Sequence, residues 1–177
     1  RKLMLRGFPR SYHSEIVDLH SSQYGMMGIT RHGISYQQAN ARASGSPETS
    51  VFNSIINAFV CYLALRNSGF RPERAYDMLG IYGGDDGISR DIDPVIYEKA
   101  ACTMGLKLVA DVLTRGQPGV NFLSRYYSPE VWYGNPSSMC DLRRQLAKFH
   151  LTVPLPGNVT PERKLLEKAS SFYLTDG

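Results

Sequence analysis

The sequence predicts an α+β fold in which a small antiparallel sheet carries helices on one face. Three observations lead there. A long apolar-periodic stretch begins near residue 46, with a clear helical start and stop. A strand, a glycine-rich turn and a second strand follow over residues 78–89. Short strand-like pieces then mix with helical ones in no regular βαβ order. A chain of 177 residues, 42% hydrophobic and 20% charged, can bury one real core and is not the composition of a disordered protein.

Taken in order, residues 1–4 (Arg-Lys-Leu-Met) already read as helix and lack an initiator methionine, which predicts a segment of a longer protein. Residues 14–23 set Ile16, Val17 and Leu19 among polar neighbours, the pattern of a short surface helix. Glycines at 25, 28 and 33 punctuate short apolar pieces up to residue 38, as in a hairpin. Ser46 is a good N-cap, Pro47 suits the first helical position and Glu48 favours the positive helix end. That helix runs to about Asn67, where Gly69 and Pro72 stop it. Phe52, Ile56, Phe59 and Leu63 form its apolar face, and Ser46, Thr49, Ser50, Asn53 and Asn57 form a polar stripe. A solvated face more often carries Lys and Glu than Thr and Asn, which are poor helix formers. A helix from Pro94 to Met104, a strand over 106–110 and a strand over 120–123 come next, then helices over 137–149 and 161–171.

Net charge is +4, which fits a phosphate-bearing partner but is shared by many proteins without one. Cys61, Cys102 and Cys140 are odd in number and lack metal-ligand spacing, so reduced thiols in a cytosolic compartment are expected. His13, His20, His32 and His150 show no metal spacing with them. The Asn158-Val159-Thr160 sequon precedes Pro161 and reads as chance. The apolar run over 55–65 is broken by Asn57 and too short for a bilayer, so no membrane-crossing helix is expected.

Gly84-Asp85-Asp86 carries the strongest chemistry. Adjacent carboxylates at a tight turn offer the oxygen ligands that Mg²⁺ shares with substrate phosphates. Gly-Gly-Asp-Asp-Gly is equally ordinary turn composition. Ser44-Gly45 begins the pattern S-G-x-x-x-T-x-x-x-N, completed by Thr49 and Asn53, which share a helix face. Polar groups there suit a ribose 2′-hydroxyl. Arg125 ends the apolar run Phe122-Leu123-Ser124 and suits a backbone phosphate or a surface ion pair. Lys107 suits a general acid or simple solvation. Tyr126, Tyr127, Trp132 and Tyr133 suit either base stacking or packing.

Read in order, Ser44-Gly45…Thr49…Asn53, Tyr82-Gly83-Gly84-Asp85-Asp86, Gly105-Leu106-Lys107 and Phe122-Leu123-Ser124-Arg125 resemble motifs B, C, D and E of the RNA-dependent RNA polymerases of positive-strand RNA viruses. Gly45-Ser46-Pro47-Glu48-Thr49-Ser50 and Lys148-Phe149-His150-Leu151-Thr152 are similar to the nodavirus-like replicases. The resemblance implies a polymerase palm with the start of a helical thumb. Residues 1–43 would be a fingers/palm linker, 44–127 the palm core and 128–177 the early thumb. It implies template-directed transfer of nucleotides from NTPs to an RNA 3′ end, with two Mg²⁺ (or Mn²⁺) ions about 4 Å apart. Asp85 and Asp86 would be metal ligands, and Ser44, Gly45, Thr49 and Asn53 would hold the nucleotide. Arg125 would hold the primer, and Lys107 would be a general acid. Motif A, two aspartates on a palm strand, is not in the chain, and Asp18 has no second aspartate at its interval. The chain alone is therefore expected to be inactive, with the rest of the replicase, an RNA template and primer, and NTPs as partners. Location in the host cytoplasm is expected, at membrane-associated replication complexes reached through other segments. A reverse transcriptase and a non-catalytic RNA-binding palm remnant are the alternatives.

Overall fold

The computed structural model describes residues 2–38, 48–117 and 119–176. Ser44, Gly45, Ser46 and Pro47 lie outside the described residues. Two short helices, α1 (Lys2–Leu5) and α2 (His13–Ser21), precede a hairpin of β1 (Met27–Ile29) and β2 (Ser35–Gln37). Both the helix and the hairpin are where the residue pattern puts them.

The long helix α3 spans Thr49–Asn67. Its end is dictated locally. Gly69 takes a φ of +89°, Phe70 N–H donates to Leu65 C=O and Gly69 N–H donates to Arg66 C=O, a Schellman stop that satisfies the last carbonyls. Pro72, read from sequence as part of that stop, instead opens a further helix, α4 (Pro72–Asp77), at the position where its missing N–H costs nothing. Helix α5 (Pro94–Thr103) is capped by the Asp93 side chain, which accepts from Val95 N–H at 2.8 Å.

The core forms where these helices meet. Val60, Cys61, Ala64 and Leu65 of α3 bury against Ala75 and Met78 near α4 and against Tyr97, Ala100 and Ala101 of α5. Alanines at the α3–α5 contact let the two backbones approach, and Leu65 is fully buried. Burying that one side chain contributes about 1.5–3 kcal/mol. As a whole, α3 is long and apolar enough to cross a membrane by length and composition, with a mean hydropathy of 1.2, which corrects the shorter span read from sequence. Its C-terminal half is nonetheless covered by α4 and α5, as a core helix is.

Beyond α3, strands β3 (Ile81–Gly83) and β4 (Asp86–Ile88) pair antiparallel. β5 (Val120–Phe122), β6 (Arg125–Tyr127) and β7 (Ser138–Cys140) form a separate three-stranded antiparallel sheet in that order. The fold is thus α+β, but with several small sheets in place of the single one expected. Residues 106–110 form no strand. Leu106 N–H turns back to Ala101 C=O, and the segment has no strand partner among the described residues. The helix expected over 137–149 is divided. Its first part pairs with β6 as β7, and α6 (Leu142–Phe149) starts only after Asp141, whose side chain accepts from Arg144 N–H at 3.0 Å. The final helix, α7, spans Pro161–Asp176.

Candidate active site

The turn between β3 and β4 is two residues long. Gly83 pairs with Asp86, leaving Gly84 and Asp85 at the tip. Gly84 has a φ of +70°, the positive value that a type II′ hairpin turn demands at its first central position. The residue order Gly-Asp therefore decides which carboxylate stands at the apex. Asp85 and Asp86 are both exposed, and neither carboxylate has a hydrogen bond or ion pair among the described residues.

Helix α3 grips this turn. Gly84 N–H donates to Ser54 Oγ at 2.7 Å, and Asn57 Nδ2 donates to the Asp85 carbonyl at 2.9 Å. Ser54 Oγ–H itself donates to Ser50 C=O at 2.8 Å, so a lone pair is left facing Gly84. Further along, Ser89 Oγ–H donates to Cys61 Sγ at 3.6 Å. Residues 50, 54, 57 and 61 follow one another at helical spacing, so one stripe of α3 tracks the hairpin from its tip to its base. Gly87 makes this approach possible. A Cβ there would come within 2.8 Å of the Tyr82 ring and 3.1 Å of Asn57 Nδ2.

Under the hairpin lies a small hydroxyl cluster. Tyr82 Oη accepts from Gly80 N–H at 3.1 Å and lies 3.2 Å from Ser89 Oγ, which is 3.4 Å from Tyr97 Oη. Burial pushes the Tyr82 phenol well above its ordinary value, and Cys61 adds to the rise while Ser89 and Gly80 oppose it. Burial likewise raises Tyr97. Both rings stay neutral at physiological pH and act as packing with a hydrogen-bonding end.

On the other side, Leu123 packs its side chain against the backbone of Gly83. Leu123 and Ser124 form the β5–β6 turn with φ of 52° and 61°, values usually left to Asn and Gly in type I′ turns. Arg144 Nη1 donates to Ser124 Oγ at 3.1 Å and ties this turn to α6.

Of the sequence-derived residues, Thr49 and Asn53 lie one turn apart on α3, half-buried, on the helix that holds the Asp85 turn. Lys107 is exposed in the extended segment after α5. Arg125 turns inward. Its Nε donates to Ser138 Oγ at 2.8 Å, and its Nη2 donates to Ser138 C=O at 2.9 Å and to Asp176 Oδ1 at 2.8 Å. Tyr133 is exposed with the Arg115 guanidinium 5.5 Å from its ring centre. Cys61, Cys102 and Cys140 are free thiols. Ser54 is a contact to the turn that the sequence reading misses, and the available signal is its helical spacing, four residues after Ser50 and three before Asn57.

Among the described residues no three His, Cys, Asp or Glu side chains gather as a metal cluster. The donor set still suits Mg²⁺, which takes hard oxygen ligands and commonly uses only one or two carboxylates, with water and phosphate oxygens completing its shell. Asp85 and Asp86 are the residues that would supply them.

No protein-family model matches the chain, and no solved structure matches it. Curated proteins do. The chain is 34% identical over 165 residues to the RNA-directed RNA polymerase of Striped jack nervous necrosis virus, covering 92% of this chain and 16% of that protein. It is 37% identical over 140 residues to that of Greasy grouper nervous necrosis virus, covering 78% of this chain and 14% of the relative. It is 30% identical over 161 residues to that of Flock house virus, covering 88% of this chain and 16% of the relative. The chain thus spans a small part of the length of each of these relatives. On this similarity, which runs through the hairpin and the helix that holds it, the chain belongs to the family of nodavirus-like viral RNA-directed RNA polymerases.

Proposed function

We propose that this chain supplies the metal-binding turn and the nucleotide-facing helix of a viral polymerase that extends RNA from NTPs on an RNA template. The observation that carries the reading is the pair of hydrogen bonds between α3 and the Asp85 turn, 2.7 and 2.9 Å long, which fix the turn backbone while both carboxylates stay unpaired among the described residues. Two adjacent like charges left exposed and unneutralised beside a rigid helix form a site for a cation rather than a structural pair.

In this reading residues 44–127 form the palm core, residues 1–43 lead into it and 128–177 begin the thumb. Asp85 is the main metal ligand and Asp86 assists, with a further aspartate coming from elsewhere in the replicase. Bound Mg²⁺ or Mn²⁺ ions would offset the charge that develops on the attacking and leaving oxygens of phosphoryl transfer. Ser44 and Gly45 border the incoming nucleotide, and Thr49 and Asn53 present polar groups to its ribose 2′-hydroxyl. Lys107, exposed and on a flexible stem, donates a proton to the leaving pyrophosphate. Arg125 offers the primer backbone only the edge of its guanidinium that Ser138 and Asp176 leave open. Its inward bonds make it as much a brace for the sheet as a primer contact. The partners are template and primer RNA, NTPs and the remainder of the replicase. Membrane attachment at cytoplasmic replication complexes is assigned to other segments.

The experiment is Asp85→Ala in the full-length parent protein. Nucleotide incorporation should fall by about a hundredfold to a thousandfold, as expected when a metal ligand or comparable electrostatic group is removed from the transfer. Circular dichroism and thermal unfolding should stay unchanged, because the side chain is exposed and makes no bond that the fold needs. Normal incorporation by this variant would remove Asp85 from the mechanism.

A further inference from the structure

The family resemblance gives helix α3 to the ribose through Thr49 and Asn53. It says nothing of the residues on the stripe beside them. We infer that Ser54 and Asn57 are positioning residues that set the affinity of the Asp85–Asp86 turn for its divalent cation, an inference that rests on the reading of that turn as the metal site.

The hairpin cannot hold its own tip. Its strands are three residues each, and a short isolated hairpin is marginal at best. Glycines at 83, 84 and 87 add backbone freedom around the carboxylates. Asp85 and Asp86 repel each other until a cation arrives, which favours splayed conformations. What opposes this is the helix. Ser54 holds the backbone N–H of Gly84, and Asn57 holds the backbone C=O of Asp85, so the two central residues of the turn are each fixed by one bond.

The chemistry of the two contacts is complementary. Gly84 offers a donor and meets a hydroxyl lone pair, since the Ser54 proton is engaged by Ser50 C=O. Asp85 offers an acceptor and meets an amide N–H₂. Neither bond consumes a carboxylate oxygen, so the helix restrains the ligand without competing with the metal. Pre-ordering a ligand in this way strengthens binding by removing the cost of ordering it at the moment of capture. Residues in direct contact with substrate would not need to face the turn backbone.

The test is Mn²⁺ binding to the full-length parent protein without RNA or NTP, followed by the electron paramagnetic resonance of free Mn²⁺, beside nucleotide incorporation as a function of Mg²⁺. Ser54→Ala and Asn57→Ala should each weaken Mn²⁺ binding roughly fivefold, the worth of one hydrogen bond, and raise the Mg²⁺ needed for half-maximal incorporation in proportion. Ser54→Thr, which keeps the hydroxyl, should restore both. Should an alanine variant fail to fold, Asn57→Leu keeps the approximate size and adds no charge but removes the donor to the Asp85 carbonyl, and it should weaken Mn²⁺ binding as much as Asn57→Ala. Parent-like Mn²⁺ affinity in Ser54 and Asn57 variants, with Asp85→Ala abolishing both binding and incorporation, overturns this inference and leaves the metal-site reading standing. A change confined to the KM for NTP overturns it as well, because Ser54 and Asn57 would then act on substrate. Asp85→Ala with unchanged Mn²⁺ binding and incorporation overturns the reading beneath it.

Discussion

Two hairpin turns lie against each other in this molecule, and they treat charge in opposite ways. At the β3–β4 turn, two carboxylates stand exposed and, among the described residues, unpaired, while the backbone beneath them is fixed by Ser54 and Asn57. Below the β5–β6 turn, Arg125 and Asp176 consume each other. Asp176 is only 6% exposed, receives Arg125 Nη2 at 2.8 Å and also takes the Cys140 N–H at 2.9 Å. The first arrangement spends its hydrogen bonds on the main chain and keeps the side-chain charge available. The second uses its charge to tie β6, β7 and α7 together. In the reading proposed above the first kind of site serves chemistry and the second architecture, although the sequence alone offers both the Asp85-Asp86 turn and Arg125 at its strand end as binding residues.

The contrast can be broken from either side. The largest effect should come from Gly87→Ala, which places a methyl group 2.8 Å from the Tyr82 ring and 3.1 Å from Asn57 Nδ2. Overpacking of this kind costs about 1–3 kcal/mol. Because it pushes the hairpin off α3, incorporation by the parent protein should fall further than the loss of stability accounts for. Thermal unfolding and incorporation measured on the same preparation check this, and a loss of stability with full activity would mean that the helix contact is dispensable.

Arg125→Ala should lower the unfolding temperature by a smaller margin, since about a third of that side chain is exposed and Asp176 keeps the Cys140 N–H. The comparison sharpens if Asp176→Ala in the same background adds little, as expected when two residues share one interaction. A primer contact at Arg125 would show separately, as a raised KM for primer in Arg125→Ala but not in Asp176→Ala.

The smallest effect concerns pH. Burial raises the Asp176 pKa, but hydrogen bonds from Arg125, Cys140 N–H and Thr175 outweigh it and hold the carboxyl below its ordinary value. A carboxylate with a depressed folded pKa stabilises the fold above its ordinary value and loses that contribution as pH falls through the folded one. Stability should therefore decline on acidification below the usual carboxylate range, and Asp176→Asn should flatten that part of the profile. Unfolding temperatures measured across acidic pH values test it.

Much of the fold was legible because it rests on local rules. The α3 stop at Gly69, the Asp93-Pro94 start of α5 and the Gly84 turn are each determined by residues within a few positions. The failures share a different cause. Residues 106–110 alternate like a strand, yet alternation forms a strand only when a neighbour offers its edge, and none does among the described residues. Residues 138–140 looked helical because helix α6 follows at once, while β6 offered a ladder that the local pattern could not reveal.

By itself, the sequence determined the apex carboxylates, the helix that runs past them and the family to which both belong, since residue identity and spacing along the chain carry that information. Only the tertiary structure decided which hydroxyl meets Gly84, which amide meets the Asp85 carbonyl, and that Arg125 faces Asp176. Those choices join residues 28, 30 and 51 positions apart, and a hydrogen bond at such separation depends on how elements dock rather than on what lies beside a residue in the chain.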